Sequence, residues 1–283
     1  MARVFHLKFQ ELLEDLLKKH VLGRVVAYTY VIEFQKRGLP HAHILLILDP
    51  AHKVRTPAEV DACVCAELPN PDDPEQEELC HIISTSQLHG PCGTRNPSAP
   101  CCEDGVCTKG YPKEFRDDTE MSASAYPKYR RRNNGFQINK KGNVFDNCDV
   151  VPYNPMLSKK YKCHLNVEIV SSIRAVKYLY KYSYKGHDRA EMEITHDEVQ
   201  EHLDGRYVGP CEAAWRLFEF SMAGKSHSVQ RLALHLENQQ TVLFNPDQPE
   251  EALHNCKDTT LTAWFKLNEV DADANSILYY DIP

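Results

Sequence analysis

The chain has 283 residues, enough for one large domain or two modest ones with a sizeable core. Its 42% hydrophobic and 26% charged content is that of a soluble globular protein, and no run is long or apolar enough to span a membrane. The net charge of −7 hides an asymmetry: 17 of the 40 acidic and 6 of the 33 basic residues lie from Glu191 onward, so residues 1–190 carry +4 and the rest −11. The overall sign therefore does not exclude a polyanionic partner, because local fields decide that. Eleven cysteines without a secretory signal favour reduced thiols, some on metal, over a disulfide framework.

In chain order, residues 3–20 read as an amphipathic helix with a charged face. "GRVVAYTYVIEF" (23–34) is β-branched and aromatic, "KRG" ending at Gly38 makes a turn, and "HAHILLIL" (41–48) returns, which predicts a β-hairpin over 24–48 closed by Pro50 and Pro57. "ELPNPDDPEQEE" (67–78) reads as an acidic surface loop or linker. Residues 80–115 are dense in Cys, Gly and Pro, and "KYRRRNNGFQINKK" (128–141) carries six basic and no acidic side chains. "HLNVEIV" (164–170) alternates as a strand, and "SSIRAVKYLYKYSYKG" (171–186) reads as a helix capped by Ser and ended by Gly186. "THDEVQEHL" and "CEAAWRLFEF" are further helical candidates, and the text beyond about residue 235 is polar and acidic.

Four constellations carry chemistry. Residues i and i+2 of a strand share a face, so His41 and His43 point the same way at the mouth of an apolar strand, as two neutral imidazoles on a divalent metal would. Glu33 on the partner strand is the candidate oxygen ligand, with Gln35 of the same parity in reserve. The same-face trio His164, Asn166 and Glu168 can line the site or supply the third ligand instead. Two nitrogens and one oxygen leave the open positions a catalytic metal needs. On the helix 171–186, Arg174, Lys177, Tyr178, Lys181, Tyr182 and Lys185 fall on one side at about 100° per residue, while Ile173, Val176, Leu179, Tyr180 and Tyr184 fall on the other. Cations beside a phenol favour phenolate, the form that attacks. His89, Cys92, Cys101 and Cys107, spaced H-x2-C-x8-C-x5-C, suit a structural Zn²⁺, with Cys102 competing for the third position. Arg130, Arg131 and Arg132 can meet phosphates, with Tyr129 and Phe136 available for base stacking.

A histidine pair around one residue plus tyrosines on a helix resembles the HUH endonucleases. More closely, "VVAYTYVIEFQKRGLPHAHILLIL", "HGPCGTRNPSAPCCEDGVCTKGYPKEF" and "VVPYNPMLSKKYKCHLNVEIVSSIRAVKYLYKYSYKGHDRA" resemble the Rep region of Helitron transposases, the Helitron helicase-like N-terminal domain, and the likeness runs over nearly the whole chain. The resemblance implies His41 and His43 as metal ligands and Glu33, eight residues ahead of them, as the acidic one. It implies Tyr178 and Tyr182 as paired nucleophiles, with Lys181 and Lys185 stabilising developing charge, and Arg174 and Lys177 on the DNA. It further implies Mg²⁺ or Mn²⁺ at the histidines, single-stranded DNA from transposon ends as partner, and a nuclear location, for which the sequence shows no clear targeting signal. The full family architecture carries a helicase, yet no G-x-x-x-x-G-K-[ST] loop occurs here, so a fragment or a decayed copy is expected.

The expected fold is α+β: a central antiparallel sheet carrying the hairpin, helices on one side, and a tyrosine helix closing the metal site. Its segments are a first nuclease part (1–60), an acidic linker, Cys-rich insert and basic loop (61–145), a second nuclease part (146–190), and an acidic C-terminal extension (191–283). The expected function is metal-dependent nicking and joining of single-stranded DNA through a 5′-phosphotyrosine. A DNA-binding remnant without catalysis, and a metal hydrolase that uses water, are the competing readings.

Overall fold

A computed structural model describes residues 1–34, 38–122, 126–170, 208–228, 232–237, 239–240 and 258–281. The proposed tyrosine helix 171–186 lies outside the described residues, as do Gln35 and "THDEVQEHL". The architecture is mixed α+β, with two compact units, Met1–Ser226 and His227–Pro283.

Helix α1 spans Ala2–Leu17 and buries Ala2, Phe9, Leu13 and Leu16, a spacing that keeps one stripe on the core. The hairpin follows as β1 (Val25–Phe34) and β2 (Pro40–Leu48), paired antiparallel with Glu33 opposite His41 and Val31 opposite His43. A short strand, Ala223–Lys225, pairs with the other edge of β1, so β1 is central and the sheet order is β2, β1, Ala223–Lys225. Because facing residues alternate, Tyr30, Ile32, Phe34, Ala42 and Ile44 all join one core with α1 and the helix Pro210–Leu217, whose Trp215 is fully buried. Glu33, His41 and His43 take the opposite parity. Helix 210–217 and strand 223–225 thus pack into the first unit, although their acidic surroundings had suggested a C-terminal extension. The aromatic Trp215 and Phe220, in edge contact at 5.1 Å, are what bind them there.

Gly224 stands opposite Tyr30, and a Cβ there would meet the Tyr30 ring at 2.4–2.7 Å, so only glycine allows the ring to lie across the strand.

Between the hairpin and residue 170 the chain builds three small cores. Helix α2 (Pro57–Cys63) starts on a capping box in which Thr56 accepts from Glu59 N and the Glu59 carboxylate accepts from Thr56 N. Helix α3 (Glu77–Ser86) buries Leu79, Ile82 and Ile83. The stretch 67–78 is therefore not a surface linker throughout: Glu67 and Leu68 are buried, and Pro74–Gln76 forms a 3₁₀ turn leading into α3. Two two-stranded ribbons follow, β3 and β4 (Cys102–Glu103, Val106–Cys107) and β5 and β6 (Ile138–Lys140, Asn143–Phe145). Helix α4 (Pro155–Tyr161) ends with Lys162 in the left-handed region. Its Lys160 and Tyr161 reach the buried Asp15 of α1, Tyr161 donating at 2.7 Å.

Residues 164–170 alternate in exposure as expected but pair with no strand among the described residues. Single bonds hold them instead: Gln87 Nε2 donates to Leu165 O (2.8 Å), Val167 N to Pro152 O (3.1 Å) and Ile169 N to Tyr129 Oη (2.9 Å). Val167 and Ile169 pack beside Val60, Val64, Ala66 and Tyr129, leaving His164, Asn166 and Glu168 exposed.

In the second unit, helix Thr260–Val270 begins on the Thr259 hydroxyl and sets Trp264 against Tyr279 at 5.4 Å. Tyr279 Oη donates to Ala233 O at 2.8 Å. Among the described residues no helix is long and apolar enough to cross a membrane.

Candidate metal centres

The hairpin places His41, His43 and Glu33 on one face. His43 Nε2 and Glu33 Oε2 are 3.0 Å apart, and the His41 and His43 ring centroids are separated by 5.6 Å. Two donors in adjacent positions on an octahedral ion with bonds of about 2.0–2.1 Å lie about 3 Å from each other, so the Glu33–His43 pair has the spacing of neighbouring ligands. Burial above all, and then the His43 and His164 rings, hold His41 below the ordinary imidazole pKa, while Glu33 pulls the other way. The balance favours the neutral ring that a metal requires. His164, from the segment after α4, brings its ring to 6.3 Å from that of His41. Asn166 and Glu168 do not join it: Asn166 donates to Glu168 at 3.2 Å, and Glu168 acts on Tyr111 and Lys113.

The second group is tighter. One donor atom from each of His89, Cys92, Cys101 and Cys107 lies within 4.8 Å of the others, and Cys92 and Cys107 are buried. This group can hold a metal ion. The turn between β3 and β4 delivers Cys107, and although Cys102 pairs directly opposite it, Cys101 is the one whose sulfur joins the group, while Cys102 Sγ accepts from Gly93 N at 3.1 Å. Burial and the neighbouring sulfurs push the Cys92 thiol up to about 12. Cys107 goes the other way: burial opposes its ionisation, but backbone N–H groups of Tyr111 and Lys109 outweigh it, and His89 Nε2 sits 3.3 Å from its sulfur. One thiolate among three thiols raises the others by like-charge repulsion, a conflict that a dication removes. His89 is lowered chiefly by burial.

Supports of this group carried no signal in the spacing. Tyr111 stacks on His89 at 4.2 Å, and Lys113 lies over the Tyr111 ring at 4.7 Å. Arg95 donates to Asp149 (Nη1 to Oδ2, 3.0 Å), and His89 N donates to Asp149 O at 2.9 Å, which ties the insert to the 146–150 turn.

The basic run is built differently from its sequence reading. Arg131 is buried, and its Nη1 donates to the carbonyls of Ala66 (3.2 Å), Asn147 (2.5 Å) and Val150 (2.8 Å). Arg132 grips the buried Glu67 with two parallel bonds, 2.9 and 2.6 Å, and Arg130 lies 3.3 Å from Asp61 and 3.5 Å from Glu67. Tyr129 is buried, and Phe136 packs at the edge of the core of Leu68, Ile83 and Tyr153. In this structure Arg131 and Tyr129 are buried in the fold and do not face solvent as a DNA contact would, while Phe136 is half-buried. The reason is that acids and carbonyls distant in sequence converge on the run. Arg174, Lys177, Tyr178, Lys181, Tyr182 and Lys185 lie outside the described residues.

Fold and site together define an α+β protein with a histidine-bearing hairpin and a His/Cys group that can hold a metal. Residues 1–46, which are α1 and most of the hairpin with both histidines, match the family described as "Helitron helicase-like domain at N-terminus". The match supports a Helitron helicase-like N-terminal domain over that segment. No curated protein matches the chain.

Proposed function

We propose that this chain is a Rep-type strand transferase that nicks and joins single-stranded DNA through a 5′-phosphotyrosine. The observation that supports it most is the shared face of Glu33, His41 and His43 within the segment that matches the Helitron-type domain. A divalent ion there, Mg²⁺ or Mn²⁺, would polarise the scissile phosphodiester. Glu33, His41 and His43 would hold it, and the sheet core behind them fixes their geometry. Tyr178 or Tyr182 attacks phosphorus as phenolate, the P–O3′ bond breaks, and a 3′-hydroxyl leaves after taking up a proton. The phosphodiester is exchanged for a phosphotyrosine without water, so the reverse attack by a 3′-hydroxyl rejoins the strand. Lys181 and Lys185 stabilise the phenolate and the extra charge at phosphorus, and Arg174 and Lys177 take neighbouring phosphates. The His/Cys group holds Zn²⁺, since one imidazole and three thiols form a closed structural set. The partner is single-stranded DNA at element ends, met in the nucleus, with a helicase supplying strand separation.

The test is incubation with 5′- and 3′-labelled single-stranded oligonucleotides and Mn²⁺, read on a denaturing gel. Cleavage lost in His41→Ala/His43→Ala, and a covalent adduct lost only in Tyr178→Phe/Tyr182→Phe, are expected. Cleavage that survives the histidine change removes the metal assignment. An adduct mapped to a peptide lacking Tyr178 and Tyr182 removes the nucleophiles. Binding without cleavage by the wild type leaves a DNA-binding remnant.

A further inference from the structure

We infer that His164 is a third imidazole of the hairpin metal site, so that the site selects transition ions over Mg²⁺. The inference rests on the reading of the hairpin as a divalent-metal site.

Three observations carry it. The first is distance. With metal–nitrogen bonds of about 2.0–2.1 Å and about 1.1 Å more to the ring centre, two imidazoles on one ion have centroids at most about 6.4 Å apart. His41–His43 at 5.6 Å falls within that reach, and His41–His164 at 6.3 Å lies at its limit, which puts those two rings on opposite sides of the ion. The second is the tautomer. His164 Nδ1 lies 2.7 Å from the Ser86 carbonyl oxygen. A carbonyl only accepts, so Nδ1 carries the hydrogen and the lone pair sits on Nε2. This is the arrangement in which a backbone carbonyl orients a metal-ligating histidine. The third is anchoring. The next residue, Leu165, gives its carbonyl to Nε2 of the fully buried Gln87 at 2.8 Å, and Val167 and Ile169 pack inward, so the exposed His164 is held from behind.

The chemistry follows from the donor count. Two imidazoles and a carboxylate suit Mg²⁺ or Mn²⁺ alike. A third nitrogen shifts the set toward ions that accept imidazole, because Mg²⁺ prefers oxygen and keeps its water.

The experiment is an Mn²⁺ titration of the full chain, with free Mn²⁺ read by electron paramagnetic resonance, Mg²⁺ as competitor and zinc content checked throughout. His164→Ala and His164→Gln should each weaken Mn²⁺ binding about tenfold or more and narrow the preference over Mg²⁺, whereas His41→Ala weakens both ions. Pulsed resonance on the Mn²⁺-loaded wild type, with ¹⁵N-labelled histidine, should count three coupled imidazole nitrogens, which frees the test from any folding defect in a variant. Two nitrogens, or unchanged Mn²⁺ affinity in both His164 variants while His41→Ala loses it, overturns the inference and leaves the hairpin site standing. Unchanged affinity in His41→Ala as well overturns both.

Discussion

Replacing Arg131 with methionine separates a fold-holding cation from a DNA contact. The guanidinium is buried and serves the carbonyls of Ala66, Asn147 and Val150, which belong to three different stretches of chain. Burial pulls its pKa below the usual arginine value, yet an arginine keeps its proton in a protein. Methionine restores much of the volume and none of the donors. Each buried acceptor left alone costs about 1–3 kcal/mol, and entry of water or local relaxation recovers part, so the net loss is about 3–5 kcal/mol. In a unit the size of Met1–Ser226, each kcal/mol moves the Tm by about 2–4 °C, so a fall of roughly 6–20 °C is expected. Circular-dichroism melting measures it, and single-stranded DNA binding as a function of salt gives the complementary reading. A phosphate contact contributes about 0.7 to the log–log salt slope on a single strand. Arg131→Met that melts within about 2 °C of the wild type, with its slope reduced by about 0.7, refutes the structural role.

Cys92→Ser/Cys107→Ser should remove the bound zinc measured by elemental analysis, and unchanged content places the ligands elsewhere. Gly224→Ala should lower stability by about 1–3 kcal/mol in urea unfolding through overlap with the Tyr30 ring, and no change would mean that the ring swings aside freely. For Asp15, burial alone would raise the carboxyl pKa, but bonds from Lys160, Tyr161 and Lys19 outweigh it and hold the pKa well below its ordinary value of 3.8. A depressed carboxyl stabilises the fold above its unfolded pKa, and that share is lost as pH falls through the folded one. The stability gap between wild type and Asp15→Asn should therefore be full at pH 7 and shrink below pH 3.8, and a gap independent of pH would refute the pairing.

The hairpin was legible because a period of two fixes both its pairing and the face of each histidine, and nothing distant is needed to deduce that. The same period in residues 164–170 gave the faces correctly, but no partner strand lies among the described residues: alternation reports which side is buried, not whether a neighbouring strand exists. Helix α2 had a readable start in Thr56-Pro57-Ala58-Glu59, but its seven residues are too few for a periodic signal. Prolines and acids hid α3 in the same way. In the run 130–132, charge was visible and its destination was not, since Asp61, Glu67 and the carbonyls of 147 and 150 arrive from elsewhere in the chain. The choice between Cys101 and Cys102 needed the position of each sulfur, Cys101 in the group and Cys102 on Gly93 N, which spacing does not contain.

The end of α3 is a shared abutment. Ser86 gives its carbonyl to His164, Gln87 ties Leu165 and Val151, and His89 enters the His/Cys group. Three residues of chain reach about 10 Å at most, so His164 and the His/Cys group are moored to one short peptide. Substitutions at His164 and in the His/Cys group should not combine additively: slack let into the thiol group is passed along residues 86–89 to the His164 ring.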